Sequence, residues 1–204
     1  MAVAWSESLE LLFKKSAEHF LCLRWTHDAA QRWCATRNSW LSIPVIILSG
    51  LAGLGSVGSE SILPFQGATV LVGFISWIAG TLQTISAYYE FSRRAEAHRV
   101  AALNYEKLHR LIEFELKIDR AHRTPADQLI KQLKEEANRL NEISPQLPSH
   151  AILAFKKAFP QAEIAVPALL NGLEAVEINT TEATTPSFPL TQVQDSRVKV
   201  KLEV

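Results

Sequence analysis

Residues 40–58 read WLSIPVIILSGLAGLGSVG and residues 68–89 read ATVLVGFISWIAGTLQTISAYY, and neither stretch holds a charged side chain. The uncharged run around the first extends from Asn38 to Ser59 and that around the second from Ser61 to Tyr89, with the single acid Glu60 between them. As helices rising 1.5 Å per residue, each covers roughly 30 Å, the thickness of a bilayer's hydrocarbon core. The pattern therefore predicts an all-α membrane protein: a first span over 38–59, a short external loop over 60–67 and a second span over 68–89. A buried helical hairpin of a soluble protein is the competing reading, but core helices are usually shorter and carry polar residues on one flank.

Orientation follows from the basic residues, which collect on cytoplasmic flanks. Arg24, Arg32 and Arg37 precede the first span, Arg93, Arg94 and Arg99 follow the second, and the connection has none. Both termini are expected in the cytoplasm, so the protein is expected to be an integral, two-span membrane protein with its charged helices inside. Trp33 and Trp40 on one strand of the hairpin, and Tyr88 and Tyr89 on the other, suit the interfacial aromatic belt.

At alternating steps of four and three, one face of the second span reads Thr69, Gly73, Ser76, Gly80, Gln83, Ala87 and then Glu90, all small or polar. The first span has a weaker counterpart in Ser42, Ser49, Gly53 and Ser56. Small residues let membrane helices approach closely and hydroxyls or amides bond across the contact, which reads as packing within or between hairpins. The same stripe also suits a water-filled pathway in an oligomer. The spacing alone leaves both open, and a single hairpin cannot enclose a channel.

The flanks read as ordinary charged helices. Residues 1–37 carry Leu9, Leu12, Phe13, Ala17 and Phe20 at helical spacing behind a cap at Ser6 or Ser8, with no Gly or Pro before the first span. Over 90–159 the helical signal continues from Glu90 to about His122 on Tyr105, Leu108, Leu111, Ile112 and Ile118. Thr124-Pro125-Ala126-Asp127 then starts a helix, with Thr124 as a hydroxyl cap, Pro125 at the first helical position and Leu129, Leu133, Ala137 and Leu140 as its seam, and Ser149 is placed to cap a last short helix. The segment 160–204 reads as a largely flexible tail, with period-two alternation in Val198–Val204 that suits a terminal strand.

The 204 residues balance 21 Lys and Arg against 21 Asp and Glu. The start, MAVAWSESLELLFKK, lacks a signal peptide's apolar core and cleavage site, so the first span is expected to direct insertion. Cys22 and Cys34 are expected to be reduced packing residues. No phosphate-binding glycine loop, His-Glu-x-x-His or Gly-x-Ser-x-Gly pattern is present, so no enzymatic role, cofactor, metal or nucleic-acid partner is expected. The six histidines are scattered, and His98 with His109 or His122 lacks the spacing of a helical metal site. His27 and His98 fall just inside the expected cytoplasmic face, where titration near neutrality suits pH sensing or phosphate binding.

Arg24-x-x-His27-x-x-Ala30 leads into the Ser/Gly-rich first span, and the second span ends in Ala95-Glu96-Ala97-His98-Arg99-Val100-Ala101-Ala102-Leu103-Asn104-Tyr105-Glu106-Lys107-Leu108. Ser144-Pro145-Gln146-Leu147-Pro148 and Phe155-Lys156-Lys157-Ala158-Phe159 follow. With these features the chain resembles, from about Ser8 to Phe159, the SLATT family of two-transmembrane proteins. That resemblance implies an oligomeric, pore- or channel-like membrane effector of defence or cell suicide, accompanied by a nucleotide-producing or nucleotide-sensing partner. In such an assembly Thr69, Gly73, Ser76, Gly80 and Gln83 line the pathway or its tight contacts, and Glu90 adds a ring of negative charge. Arg93, Arg94, His98 and Tyr105 serve the cytoplasmic interface. The rival expectation is a non-conducting structural or scaffolding membrane protein, for example a viral envelope component.

Overall fold

The computed structural model describes residues 4–58, 67–160 and 164–172, and among them it is helical throughout, with no strand. Seven elements follow in order: α1 (Glu7–Gly58), α2 (Ala68–Tyr89), α3 (Phe91–Lys117), a 3₁₀ turn (Arg120–His122), α4 (Ala126–Ile143), α5 (Ser149–Ala158) and α6 (Ala168–Asn171). Two helices are long and apolar enough to cross a membrane, and their apolar stretches are scarcely buried within the protomer. A soluble protein's core hairpin would be buried instead. Most of the expected loop over 60–67 and the expected strand over 198–204 lie outside the described residues.

α1 is one unbroken helix of 52 residues, about 78 Å long at 1.5 Å per residue. Ser6 caps it by accepting the Leu9 N–H at 3.3 Å, and Glu7 and Glu10 lie in the first turn, favourable to the helix dipole. The helix passes through Pro44, which removes one backbone donor without ending it.

α2 and α3 lie antiparallel to α1, end to end along its length. As residue numbers rise on α1, those of its partners fall. Glu10 meets Arg120 at 2.7 Å and Arg123 at 2.5 Å, and the Ala17 carbonyl accepts the His109 Nδ1–H at 3.0 Å. Arg24 pairs with Glu106 at 2.5 Å, Trp33 packs edge-on to Phe91, and Gly55 lies against Val72.

The α1–α3 pair is completed by α4, whose Leu129, Leu133 and Leu140 are buried with Phe13, Ala17, Ala101, Tyr105, Leu108 and Ile112. All but Ala101 are positions the helical spacing predicts; of the other predicted positions, Phe20, Leu111 and Ala137 are half-buried against the cluster and Leu12 is half exposed, Phe13 taking the inward direction. A second cluster joins Cys22, Phe155 and Leu170, with Trp25 edge-on to both Phe155 and Phe159. Part of the segment read as a tail is therefore docked: Leu170 is buried, and the Ala165 N–H donates to Glu18 Oε2 at 2.8 Å.

Three local expectations change. α3 stops at Lys117 rather than near His122, because Ile118 turns extended. Thr124 does not cap α4; its hydroxyl and N–H both bind the Glu115 carboxylate, at 2.8 and 3.1 Å, tying the interhelical turn back to α3. Ser149 sits inside the first turn of α5, with Pro148 at the cap position.

Two substitutions test this packing. Ile112, fully buried, is expected to cost about 2–5 kcal/mol on replacement by Ala, read as a lower denaturation midpoint. A Cβ added at Gly55 would meet Val72 Cγ2 at 2.8 Å, whereas one at Gly53 meets nothing within 4 Å. Because a β-branched neighbour yields poorly, Gly55→Ala is expected to lower thermal stability by about 1–3 kcal/mol while Gly53→Ala does not.

Candidate functional site

The seam between α1 and α2 is built from Leu41, Val45, Leu48, Ala52 and Gly55 on one helix and Val72, Ile75, Ala79, Leu82 and Ser86 on the other, all buried or half-buried. Apart from Thr69 and Glu90, the polar positions singled out from the sequence follow directly on seam positions. On α1 these are Ser42, Ser49, Gly53 and Ser56; on α2 they are Gly73, Ser76, Gly80, Gln83 and Ala87. One residue is a rotation of about 100° in a fixed sense, and reversing the direction of the second helix carries that rotation to the same side of the pair. Both polar faces therefore lie side by side on one flank of the hairpin, interrupted on α1 by the exposed Ile46, which follows Val45. The residues preceding the seam positions, among them Trp40, Ile47, Leu51 and Leu54 on α1 and Leu71, Phe74 and Ile85 on α2, form the opposite flank, which is strongly apolar and exposed.

The polar flank is open in the protomer. Thr69, Gly73, Ser76, Gly80 and Gln83 are exposed, as are Ser49, Gly53 and Ser56, with Ser42 half-buried at the root. A Cβ built on Gly50, Gly53, Gly73 or Gly80 meets nothing within 4 Å. The protomer's own hairpin leaves this face uncovered, so both packing between hairpins and a water-filled pathway remain uses of the stripe.

Glu90 interrupts the antiparallel partner of α1. It adopts the left-handed conformation with φ 48° and ψ 38°, uncommon for a residue other than Gly, Asn or Asp, and so separates α2 from α3. The sequence reading carried one helix through this point. The Glu90 carboxylate accepts from Arg93 at 3.2 Å, so the acid expected to present bare negative charge is already paired at the surface. Its helical phase with Thr69–Ala87 is lost beyond the break.

The residues assigned to a cytoplasmic interface separate into two groups. Arg93 and Arg94 are exposed, while His98 and Tyr105 are buried and face α1. There His27 and His98, 2% and 5% exposed, share a hydrogen bond between their Nδ1 atoms at 3.0 Å. Tyr105 stacks on His27 with ring centroids 5.5 Å apart and donates its hydroxyl to Asn141 Oδ1 at 3.3 Å. His150 of α5 stacks on Trp33 at 4.2 Å, and Arg37 covers the same indole at 5.2 Å.

Burial holds His27 down to about 4 from its ordinary 6.5, with His98 adding to the effect. Burial also lowers His98, helped by His150, and lowers His150, helped by Arg37. Burial pushes the Cys22 thiol up to about 11 and also raises Cys34, as suits unreactive packing cysteines. The scattered histidines of the sequence thus converge in part. The pairing was foreshadowed by register: His27 continues the inward series Phe13, Ala17, Phe20, and His98 lies seven residues before Tyr105 on the same face. Nothing in the sequence showed that these two series meet.

Comparison of the chain with known protein families, curated proteins and solved structures finds no match.

The open polar flank makes a direct prediction. In the isolated protomer, Gly73→Ala and Gly80→Ala should leave thermal stability unchanged or raise it by up to about 1 kcal/mol each, since alanine favours a helix interior over glycine. A fall in the melting temperature of the solubilised protein would instead show that another surface already covers these glycines.

Proposed function

We propose that the protein is a two-span membrane protein whose hairpins assemble through their polar flanks into a conducting oligomer. The observation that carries this reading is the placement of both small/polar faces on one side of the hairpin and both large apolar faces on the other. Such a cross-section matches a helix pair with lipid on one side and other copies or water on the other. Hydroxyls and the Gln83 amide are costly toward lipid and are accommodated toward a bundle interior or an aqueous lumen.

In this reading the spans are the α1 segment from Asn38 and the whole of α2, the α1–α3–α4 bundle lies in the cytoplasm, and the exposed Arg93 and Arg94 border the headgroups. Trp40, Tyr88 and Tyr89, all exposed, serve as interfacial anchors. Glu90, paired with Arg93, contributes less to cation selection than a free carboxylate would. The continuous α1 couples the two parts, because a rotation of its charged half is a rotation of its span. The resemblance to SLATT proteins supports an effector role with a nucleotide-producing or nucleotide-sensing partner.

A scaffold that conducts nothing is favoured by one feature: the bare surfaces of Gly73 and Gly80 allow backbones to approach closely and exclude water. Ion flux into liposomes separates the two. Protein reconstituted at equal density is expected to pass ions, Gln83→Leu to reduce flux at least severalfold, and Thr81→Leu, on the apolar flank, to leave it unchanged. Intact oligomers that conduct in none of the three samples would decide for the scaffold.

A further inference from the structure

Beyond the spans, two buried histidines and a half-buried one meet at the root of the bundle: His27 from α1, His98 from α3 and His150 from α5. Bringing two imidazoles into a buried contact has a chemical consequence. When both rings are neutral, one Nδ1–H donates to the other ring's bare Nδ1. A single added proton leaves that bond in place, since the charged ring can still donate to the neutral one. A second proton makes both Nδ1 atoms donors, 3.0 Å apart, and no hydrogen bond remains.

Among the described residues, the groups in contact with the pair are neutral or basic. From α3 the pair is met by Tyr105, whose hydroxyl is directed to Asn141, and Arg94 lies near enough to act on Cys34 of α1. From α5 comes His150, whose Nε2 is buried without a partner and whose ring is close to Arg37 through Trp33. Among the described residues around α6, Pro167 and Leu169 line the same cleft as His27. The Glu106 carboxylate beside Tyr105 is taken by Arg24 at 2.5 Å and Arg110 at 2.6 Å. Among the described residues, no carboxylate is hydrogen-bonded to any of the three rings. Protons nevertheless have a route, because His27 forms part of the wall of an open cleft of about 500 Å³, beside Asn141, Ser144 and Gln146.

We propose that the His27–His98 pair is a proton-operated latch that holds α1 to α3 at neutral pH and releases that contact on acidification. The latch is placed to matter, because it joins the continuous α1 to the helix that follows the Glu90 break. Opening it removes a buried tertiary contact that holds this part of α3 against α1, so its turns open locally more often. His150 and the Trp33 stack extend the effect to α5. The latch operates whether or not the hairpins conduct.

The sign follows from the lowered values. The closed seam binds fewer protons than an opened one whose histidines titrate near 6.5. The closed form is therefore fully favoured above that pH, and its advantage is lost as pH falls from 6.5 toward about 4, the value to which His27 is held.

Hydrogen exchange tests the latch, measured on the full chain in phosphatidylcholine nanodiscs at pH 7.0 and 4.5 and corrected for intrinsic exchange. Amides of residues 95–105 are expected to lose protection about tenfold or more at the lower pH, one pKa unit being worth tenfold. The double variant His27→Gln, His98→Gln keeps a neutral hydrogen-bonding pair and is expected to lose the pH response, while His109→Gln keeps it. An equal loss in the double variant, or no loss in the native protein, would overturn the latch. Should the double variant not fold at pH 7, imidazole nitrogen shifts of the native protein decide: two buried rings titrating below 6 support the latch, and two titrating near 6.5 refute it.

Discussion

The antiparallel contact of α1 with α2 and α3 is the interaction on which everything else depends. Helix α1 supplies one side of the apolar hairpin, one side of the charged bundle and the surface to which α5 and α6 dock. A helix of 52 residues has no fold of its own to hold it straight in water. It is held by the buried Phe13, Ala17, Thr26, His27, Ala30 and Cys34 along its charged half, and by the small seam residues Ala52 and Gly55 further on. Each half stabilises the register of the other, since a slip at one end displaces every pair along the rod.

That register also explains the two-sided hairpin. Leu41, Val45, Leu48, Ala52 and Gly55 set which way α1 faces, and a quarter turn further on lie its serines and Gly53. The same rotation from Val72, Ile75, Ala79 and Leu82 arrives at Gly73, Ser76, Gly80 and Gln83. Antiparallel packing then aligns the two polar faces, where parallel packing would have placed them on opposite sides. The break at Glu90 confines this arrangement to the apolar part and lets α3 choose its own phase, which turns His98 and Tyr105 inward.

Much of the architecture was legible in the residues. The uncharged runs, the inward series of α3 and α4 and the cap at Ser6 are local patterns, and local patterns are what helical periodicity encodes. The misread points share a different character. Thr124 is drawn away from capping α4 by Glu115, nine residues earlier, and the break at Glu90 falls in a stretch without Gly or Pro. Leu170 and Ala165 dock on Cys22 and Glu18, nearly 150 residues away in the chain. Each depends on a partner that sequence spacing does not supply.

By itself the sequence determined that this protein is helical, that two of its segments are apolar enough to cross a membrane, and which residues of each helix share a face. Those properties follow from composition and from the helix's own period. Only the tertiary structure decided that the two polar stripes occupy one flank, that this flank is uncovered in the protomer, and that His27 meets His98. The reason is geometric: a stripe's direction is set by the helix it belongs to, but what it faces is set by the rotation and direction of the helix packed against it.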